Sequence, residues 1–203
     1  MILAKCKVTP ENIEELFEDE IFVFGSNLAG FHGAGAARQA MKWGAKYGIC
    51  LGMEGSTYAL PTKDKSITTL KLGSIRVYVN CLEMCIINNP DKHFLITKVG
   101  CGLAGYNVEQ IAPLFSEFLK YINVSLPIEF IHVNQGVTLD EIEQLAIIHN
   151  KDGWGHIYHN GKLMYDRKSR IPQDYWKQVD FWIEGFIKSL TIKNIQDELS
   201  RTI

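Results

Sequence analysis

No stretch of the 203-residue sequence approaches the roughly 20 consecutive apolar residues that a membrane-spanning helix needs, so no membrane partner is expected. The start, Met1-Ile2-Leu3-Ala4-Lys5-Cys6-Lys7, lacks the long apolar stretch and small-residue cleavage site of a secretion signal. Neither charge is in excess, since 21 basic and 23 acidic residues leave a formal net charge of -2. Non-specific nucleic-acid binding depends on a basic excess that displaces counterions, and is not expected. One local positive pocket stays compatible with that balance. The five cysteines (Cys6, Cys50, Cys81, Cys85 and Cys101) contain no Cys-x-x-Cys pair and no zinc-finger spacing. An odd set of free thiols fits a reducing compartment, so the expected location is the cytoplasm, with no metal and no cofactor. The phosphate signature Gly-x-x-x-x-Gly-Lys-Ser/Thr is also missing, which argues against a P-loop nucleoside triphosphatase. There is no internal repeat and no low-complexity segment.

What is present reads as a folded domain. Hydrophobic residues make up 46% and charged residues 22%, the balance of an ordinary globular chain with one good core and a small appendage. Short apolar runs alternate with amphipathic stretches, the pattern of βα units around a largely parallel sheet. Strands are expected at Ile2–Val8, Ile21–Phe24, Tyr58–Leu60, Phe94–Val99 and Ile128–Val133. Thr9 and Pro10 carry the chemistry of a helix start, a hydroxyl cap followed by a residue with no N–H to satisfy. Further helices are expected over Ala36–Tyr47 (closed by Gly48), Ser74–Ile87 and Val108–Ile122. After Gly136 the pattern changes. A helix over Leu139–Ile148, a hairpin of Gly155–His159 and Lys162–Tyr165 around Asn160-Gly161, and an aromatic-rich helix over Tyr175–Leu190 are expected there. Residues 1–136 are thus expected to form the core, and 137–203 a hairpin-and-helix extension packed on it.

Two loops concentrate the glycines. Gly25-Ser26-Asn27 ends a buried strand, and the chain continues through Gly30, Phe31 and His32 to Gly33-Ala34-Gly35-Ala36 at a helix start. Gly100-Cys101-Gly102-Leu103-Ala104-Gly105-Tyr106 repeats that strand–loop–helix context. Glycine permits positive φ and lets a ligand approach without a Cβ in the way. Each loop offers backbone N–H groups beside a helix N-terminus, where negative charge is favoured. In a parallel sheet both loops lie at the carboxyl ends of their strands, where open α/β folds bind ligands. These residues are the candidate binding site for a phosphate-bearing ligand. Tight turns with no ligand are the alternative.

At these loops the chain resembles the macrodomain family, α/β modules that bind ADP-ribose and in some members remove it from proteins. Asn27-Leu28 followed by Gly33-Ala34-Gly35-Ala36-Ala37 is similar to the family's first motif, and Gly100-Cys101-Gly102-Leu103 to its second. With Leu60-Pro61-Thr62-Lys63 at a strand end, the likeness is nearest to the terminal ADP-ribose glycohydrolases and antitoxin-type macrodomains. The resemblance implies a three-layer fold over residues 1 to about 136, a site for ADP-ribose or a related nucleotide, and Lys63 as catalytic residue. Two positions depart from the pattern. Cys6-Lys7-Val8-Thr9 stands where the family carries Gly-Asp-Ile-Thr, whose aspartate holds the adenine amino group. Ala104 stands where the glycohydrolases carry an aspartate that assists bond cleavage.

Several side chains admit two readings. Asn27 is either a ribose ligand or a turn residue. Lys63 is either a desolvated nucleophile toward a ribose carbon or a solvated partner of Asp64. Cys101 lies near a helix start but has no histidine nearby in sequence, which favours a lining role over a reactive thiol. His32 is read as touching ligand or facing solvent, and Phe31 and Tyr106 as stacking or packing rings. His156 and His159 fall on opposite faces of a strand, against joint metal ligation. Three functions follow as expectations. The first is a nucleotide binder that hydrolyses ADP-ribose conjugates, and the second a non-catalytic reader of ADP-ribosylated macromolecules. The third is a Rossmann-like phosphoribohydrolase or signal-nucleotide sensor.

Overall fold

A six-stranded sheet organises the chain, with helices on both of its faces. The computed structural model describes residues 7–135 and three strands beyond them at 147–149, 155–159 and 162–165. The sheet comprises β1 (Lys7–Val8), β2 (Glu20–Asn27), β3 (Gly52–Glu54), β4 (Thr57–Lys63), β5 (His93–Ile96) and β6 (Val124–Leu126). Their spatial order is β1-β6-β5-β2-β4-β3. All neighbours pair in parallel except β3 with β4, a short antiparallel edge. The chain therefore has a mixed α/β fold on a mostly parallel sheet, as the alternation of its segments implied.

Strand alternation divides the core in two. Ile21 and Val23 of β2 join Tyr58, Leu60, Phe94, Ile96, Val124 and Leu126 on one face. That face is covered by α2 (Leu72–Asn88), α3 (Val108–Ile111), a 3-10 helix over Ala112–Lys120, and α4 (Ile128–Gln135). Helix α2 buries Ile75, Val79, Leu82 and Ile86, the spacing of a single helical stripe. Phe22, Phe24, Ala59 and Leu95 face the other way, against α1 (Gly35–Ala40), Trp43 and Ile13. Both faces of β2 are thus buried, which is why its sequence is apolar without alternation.

Several expected elements are corrected. No helix follows Thr9 and Pro10: the segment runs irregularly to β2, anchored by buried Ile13, whose carbonyl accepts from the Gln39 side chain. Thr9's hydroxyl caps nothing. Helix α1 continues as one 3-10 turn over Met41–Trp43 and stops at Gly44, where φ is 105°, so the terminator is Gly44 rather than Gly48. Helix α3 gives way to 3-10 geometry at Ala112, because Pro113 has no N–H for the next α-helical bond. Ile128–Val133 is helical, and the last parallel strand is the preceding Val124–Leu126. The β-branched run misleads there: Pro127 opens the turn, its carbonyl accepting from the N–H groups of Phe130 and Ile131.

Beyond the core, β7 (Ile147–His149), β8 (Gly155–His159) and β9 (Lys162–Tyr165) form a separate antiparallel sheet. The expected hairpin is present as β8 and β9, with His159 opposite Lys162. Ile147 and Ile148, expected at a helix end, belong to β7. The rest of the Leu139–Ile148 helix and the Tyr175–Leu190 helix lie outside the described residues. Among the described residues, no helix is long and apolar enough to cross a membrane.

Candidate functional site

Strands β2 and β5 are neighbours in the sheet, with Ile21 opposite Phe94 and Val23 opposite Ile96. Parallel pairing carries both of their C-terminal loops to the same edge, where β4 also ends. The loops and the end of β4 enclose a cavity of about 430 Å³, within the usual range for a small-molecule site. From the first loop come Gly25, Ser26, Asn27, Gly33, Ala34, Gly35 and Ala36, and from the second Gly100, Gly102, Leu103 and Ala104. Lys63 enters from β4. Cys101, Gly105 and Tyr106 lie outside the lining. Tyr106 packs on the core and donates its hydroxyl to the Leu70 carbonyl at 2.7 Å. Gly105 closes a turn onto the Gly102 carbonyl at 2.9 Å. Cys101 packs half-buried on the core, and burial pushes its thiol pKa up, contrary to what a reactive thiolate needs.

The glycines divide by what surrounds them. Gly30 has φ of 69°, and a Cβ there would stand 2.6 Å from the Gly48 backbone, so close chain packing explains it. Gly100 has φ of 85°, and a Cβ would meet Ile111 at 2.8 Å. Gly33, Gly35 and Gly102 differ: a Cβ on any of them would meet nothing within 4 Å. These three face open cavity. Ala34, at the start of α1, supplies no side-chain cap for the N–H groups of the first turn.

Among the described residues, the charged groups of the lining are Lys63 and Lys98, and no carboxylate-bearing residue joins them. Lys98 is held by Glu129 at 2.5 Å and more loosely by Glu11 at 3.8 Å, and its hydrogen bond to Glu129 raises its pKa. Lys63 is half-buried and makes no ion pair among the described residues. Asp64 is not its partner. The Asp64 carboxylate accepts the N–H groups of Ser66 and Thr68 at 2.8 and 2.9 Å, fixing the loop that follows β4. That loop holds Ile67 at φ of 64°, a left-handed conformation costly for a β-branched residue. Ile67 nevertheless lines the cavity.

Asn27 is committed to its own loop. Its Nδ2 donates to the Phe31 carbonyl at 2.7 Å, and its Oδ1 accepts the Phe31 N–H at 3.0 Å. His32 neither faces solvent nor lines the cavity. It is fully buried beneath the loop, with Nε2 3.1 Å from the Ile49 carbonyl and its ring stacked on Tyr47. Phe31 does line the cavity and, with Ile67 and Leu103, forms an apolar rim at its mouth. Phe31 is 60% and Leu103 72% exposed.

Ile67, Thr97, Lys98 and Val99 belong to the lining without having been singled out in the sequence, and so does Thr62, which entered there only as the neighbour of Lys63. A signal was available, because β4 ends in Thr62-Lys63 and the chain leaves β5 through Thr97-Lys98. The threonines act alike, each donating its hydroxyl to a carbonyl of β2: Thr62 to Ser26 and Thr97 to Val23.

No protein-family model and no curated protein matches the chain. A solved structure described as a protein of unknown function from Bacteroides thetaiotaomicron is similar over 60% of this chain and 96% of its own. The identity is 14% and the TM-score 0.44.

Proposed function

We propose that the protein binds ADP-ribose or a related nucleotide diphosphate in this cavity, as a macrodomain-like module. One observation carries the reading: two glycine loops from adjacent parallel strands close on a single cavity whose charged side chains are both lysines. Glycines with open space above them let phosphate oxygens reach the backbone, and separate donors from each loop suit a diphosphate better than a monophosphate. Calorimetry tests this with ADP-ribose against AMP. Micromolar affinity for ADP-ribose, about 8 kcal/mol, with clearly weaker AMP binding is the expected result. Equal affinities, or no binding of either, would overturn it.

Binding with slow or absent hydrolysis is the form of this reading that the residues favour. Lys63 stands in the cavity as the candidate nucleophile, but Ala104 presents a methyl group where an assisting acid would act, and Asp64 is occupied by its own loop. A reader of ADP-ribosylated macromolecules follows naturally, with the apolar rim of Phe31, Ile67 and Leu103 meeting whatever the nucleotide is attached to. The Rossmann-like alternative loses its support. A doubly wound sheet has its first strand in the middle, whereas β1 is here at the edge.

A further inference from the structure

Helix α2 packs over β4 and the edge strand β3, burying its stripe of Ile75, Val79, Leu82 and Ile86. Its outer stripe is apolar as well. Val77 and Met84 are each 57% exposed and Ile87 49%, and Cys81 is exposed at the middle of the helix. The helix has two charged residues, and both are held to one side. Arg76 donates to the Leu114 and Pro113 carbonyls at 2.8 and 3.1 Å. Glu83 accepts from the Tyr121 hydroxyl at 2.7 Å and pairs with Lys120 at 3.4 Å. No exposed position of α2 is therefore charged, whereas α1 exposes Arg38 and the 3-10 segment exposes Glu117 and Lys120. A helix that faces water normally carries charge on its outer side, and one that is apolar on both sides marks a covered surface.

We propose that this outer face pairs with α2 of a second copy of the chain, antiparallel about a twofold axis between Asn80 and Cys81. The sizes of the exposed residues decide both partner and direction. About that axis Val77 meets the partner's Met84, Ser74 meets the partner's Ile87, and Asn80 meets the partner's Cys81. Each larger side chain thus faces a smaller one. Parallel pairing would set Ile87 against the partner's Ile87 and Ser74 against the partner's Ser74, crowding one end and leaving a gap at the other. An uncharged face meets its own copy without like-charge repulsion, and one surface serves both copies. The 17 residues of α2 span about 25 Å, and a strip one helix wide falls below the about 800 Å² that a stable interface buries on each partner. Half-buried Leu51 and Met53, at the edge strand beneath α2, extend the strip. The dimer is accordingly weak and reversible. No residue of α2 lines the cavity between the glycine loops, so this pairing stands apart from the nucleotide reading.

The test is sedimentation equilibrium on the full chain. Wild type should show a monomer–dimer equilibrium in the micromolar range or weaker. Val77→Glu and Met84→Glu, both at exposed positions, should each weaken the dimer by about tenfold or more and leave the melting temperature of the dilute protein unchanged. Combining Val77→Glu with Met84→Lys sets opposite charges across the antiparallel seam. That variant should return the dissociation constant to within about threefold of wild type. A wild type that stays monomeric at every concentration would overturn the proposal; if Cys81 then also resisted alkylation, the face would belong to the chain's own C-terminal segment. A dimer that both single variants leave intact would overturn it as well. A combined variant as weak as the single ones would overturn the antiparallel register.

Discussion

Asn27 of β2 stands opposite Lys63 of β4, although one step earlier Ser26 stands opposite Pro61. Thr62 is the extra residue of a bulge, and its hydroxyl bonds the Ser26 carbonyl at 3.2 Å. The Leu28 N–H then takes the Lys63 carbonyl at 2.9 Å, tying the start of the first glycine loop to the lysine's own backbone. Strand side chains alternate, so without the extra residue position 63 would present the opposite face. The face on which Lys63, one of the two lysines of the lining, stands is thus set by a backbone irregularity.

Glycine substitutions separate a ligand cavity from a pair of turns. Gly33→Val and Gly102→Val add a branched side chain at positions of ordinary φ with nothing within 4 Å. Both variants should keep the wild-type melting temperature and lose at least tenfold in ADP-ribose affinity, about 1.4 kcal/mol by calorimetry. Gly35→Val is less informative, because Gly35 has φ of 54° and any side chain there is strained. Unchanged affinity in folded Gly33→Val and Gly102→Val would make both loops plain turns.

Gly30→Ala should behave in the opposite way. Its positive φ and the backbone of Gly48 leave no room for a Cβ. A loss of at least about 2 kcal/mol in urea unfolding is expected, from left-handed strain plus the displaced chain. A stability equal to that of Gly33→Ala would show that the Gly30–Gly48 approach is not needed.

Lys63→Ala should abolish any removal of ADP-ribose from acidic side chains while leaving much of the binding. Ala104→Asp is the sharper variant, since it restores an acid to the cavity wall and should raise turnover if the lysine is already placed. Robust wild-type turnover that survives Lys63→Ala would assign the chemistry to another group.

Burial raises the thiol pKa of Cys85 and of Cys101. The unfolded chain loses these protons above a pH of about 8.5 while the folded chain keeps them, so stability falls as pH rises past that value. Lys98, raised by Glu129, acts in the same direction at higher pH: its contribution is complete below about 10.4 and is lost above. The urea midpoint should therefore decline between about pH 8 and 10, and the double variant Cys85→Ala, Cys101→Ala should flatten that decline. Alkylation followed by mass spectrometry should label exposed Cys81 well before Cys101. Faster labelling at Cys101 would reopen its role as a reactive thiol.

The sequence made some features legible and hid others for physical reasons. Ile21–Phe24 announced a strand buried on both faces because nothing polar interrupts it, and the glycine loops followed from what glycine alone permits. Thr9-Pro10 misled because capping chemistry needs an amphipathic helix behind it, and Ile13 is the fully buried residue of that stretch. Ile128–Val133 misled because its apolar residues suit either period, and Pro127 decided for the helix. Lys63 was legible as a strand-end lysine, but adjacency left Asp64 open as its partner, because the turn that ties Asp64 to Ser66 and Thr68 has no signature in the neighbouring residues. Glu129 could not have been found: its position depends on α4 meeting Lys98 from a distant loop.

The pairing of β2 with both β4 and β5 has a consequence for folding. The walls of the cavity between the two glycine loops come from segments distant in the chain, so neither wall exists as a site until the central sheet has closed around β2. A partly folded species with β2 and β4 joined but β5 unpaired would possess the first loop and Lys63, yet nothing opposite them. Ligand would distinguish such a species from the finished molecule, binding the latter alone and stabilising it by mass action as RT ln(1 + [L]/Kd). Occupancy of this cavity would then report completed assembly of the sheet, not the local order of either loop.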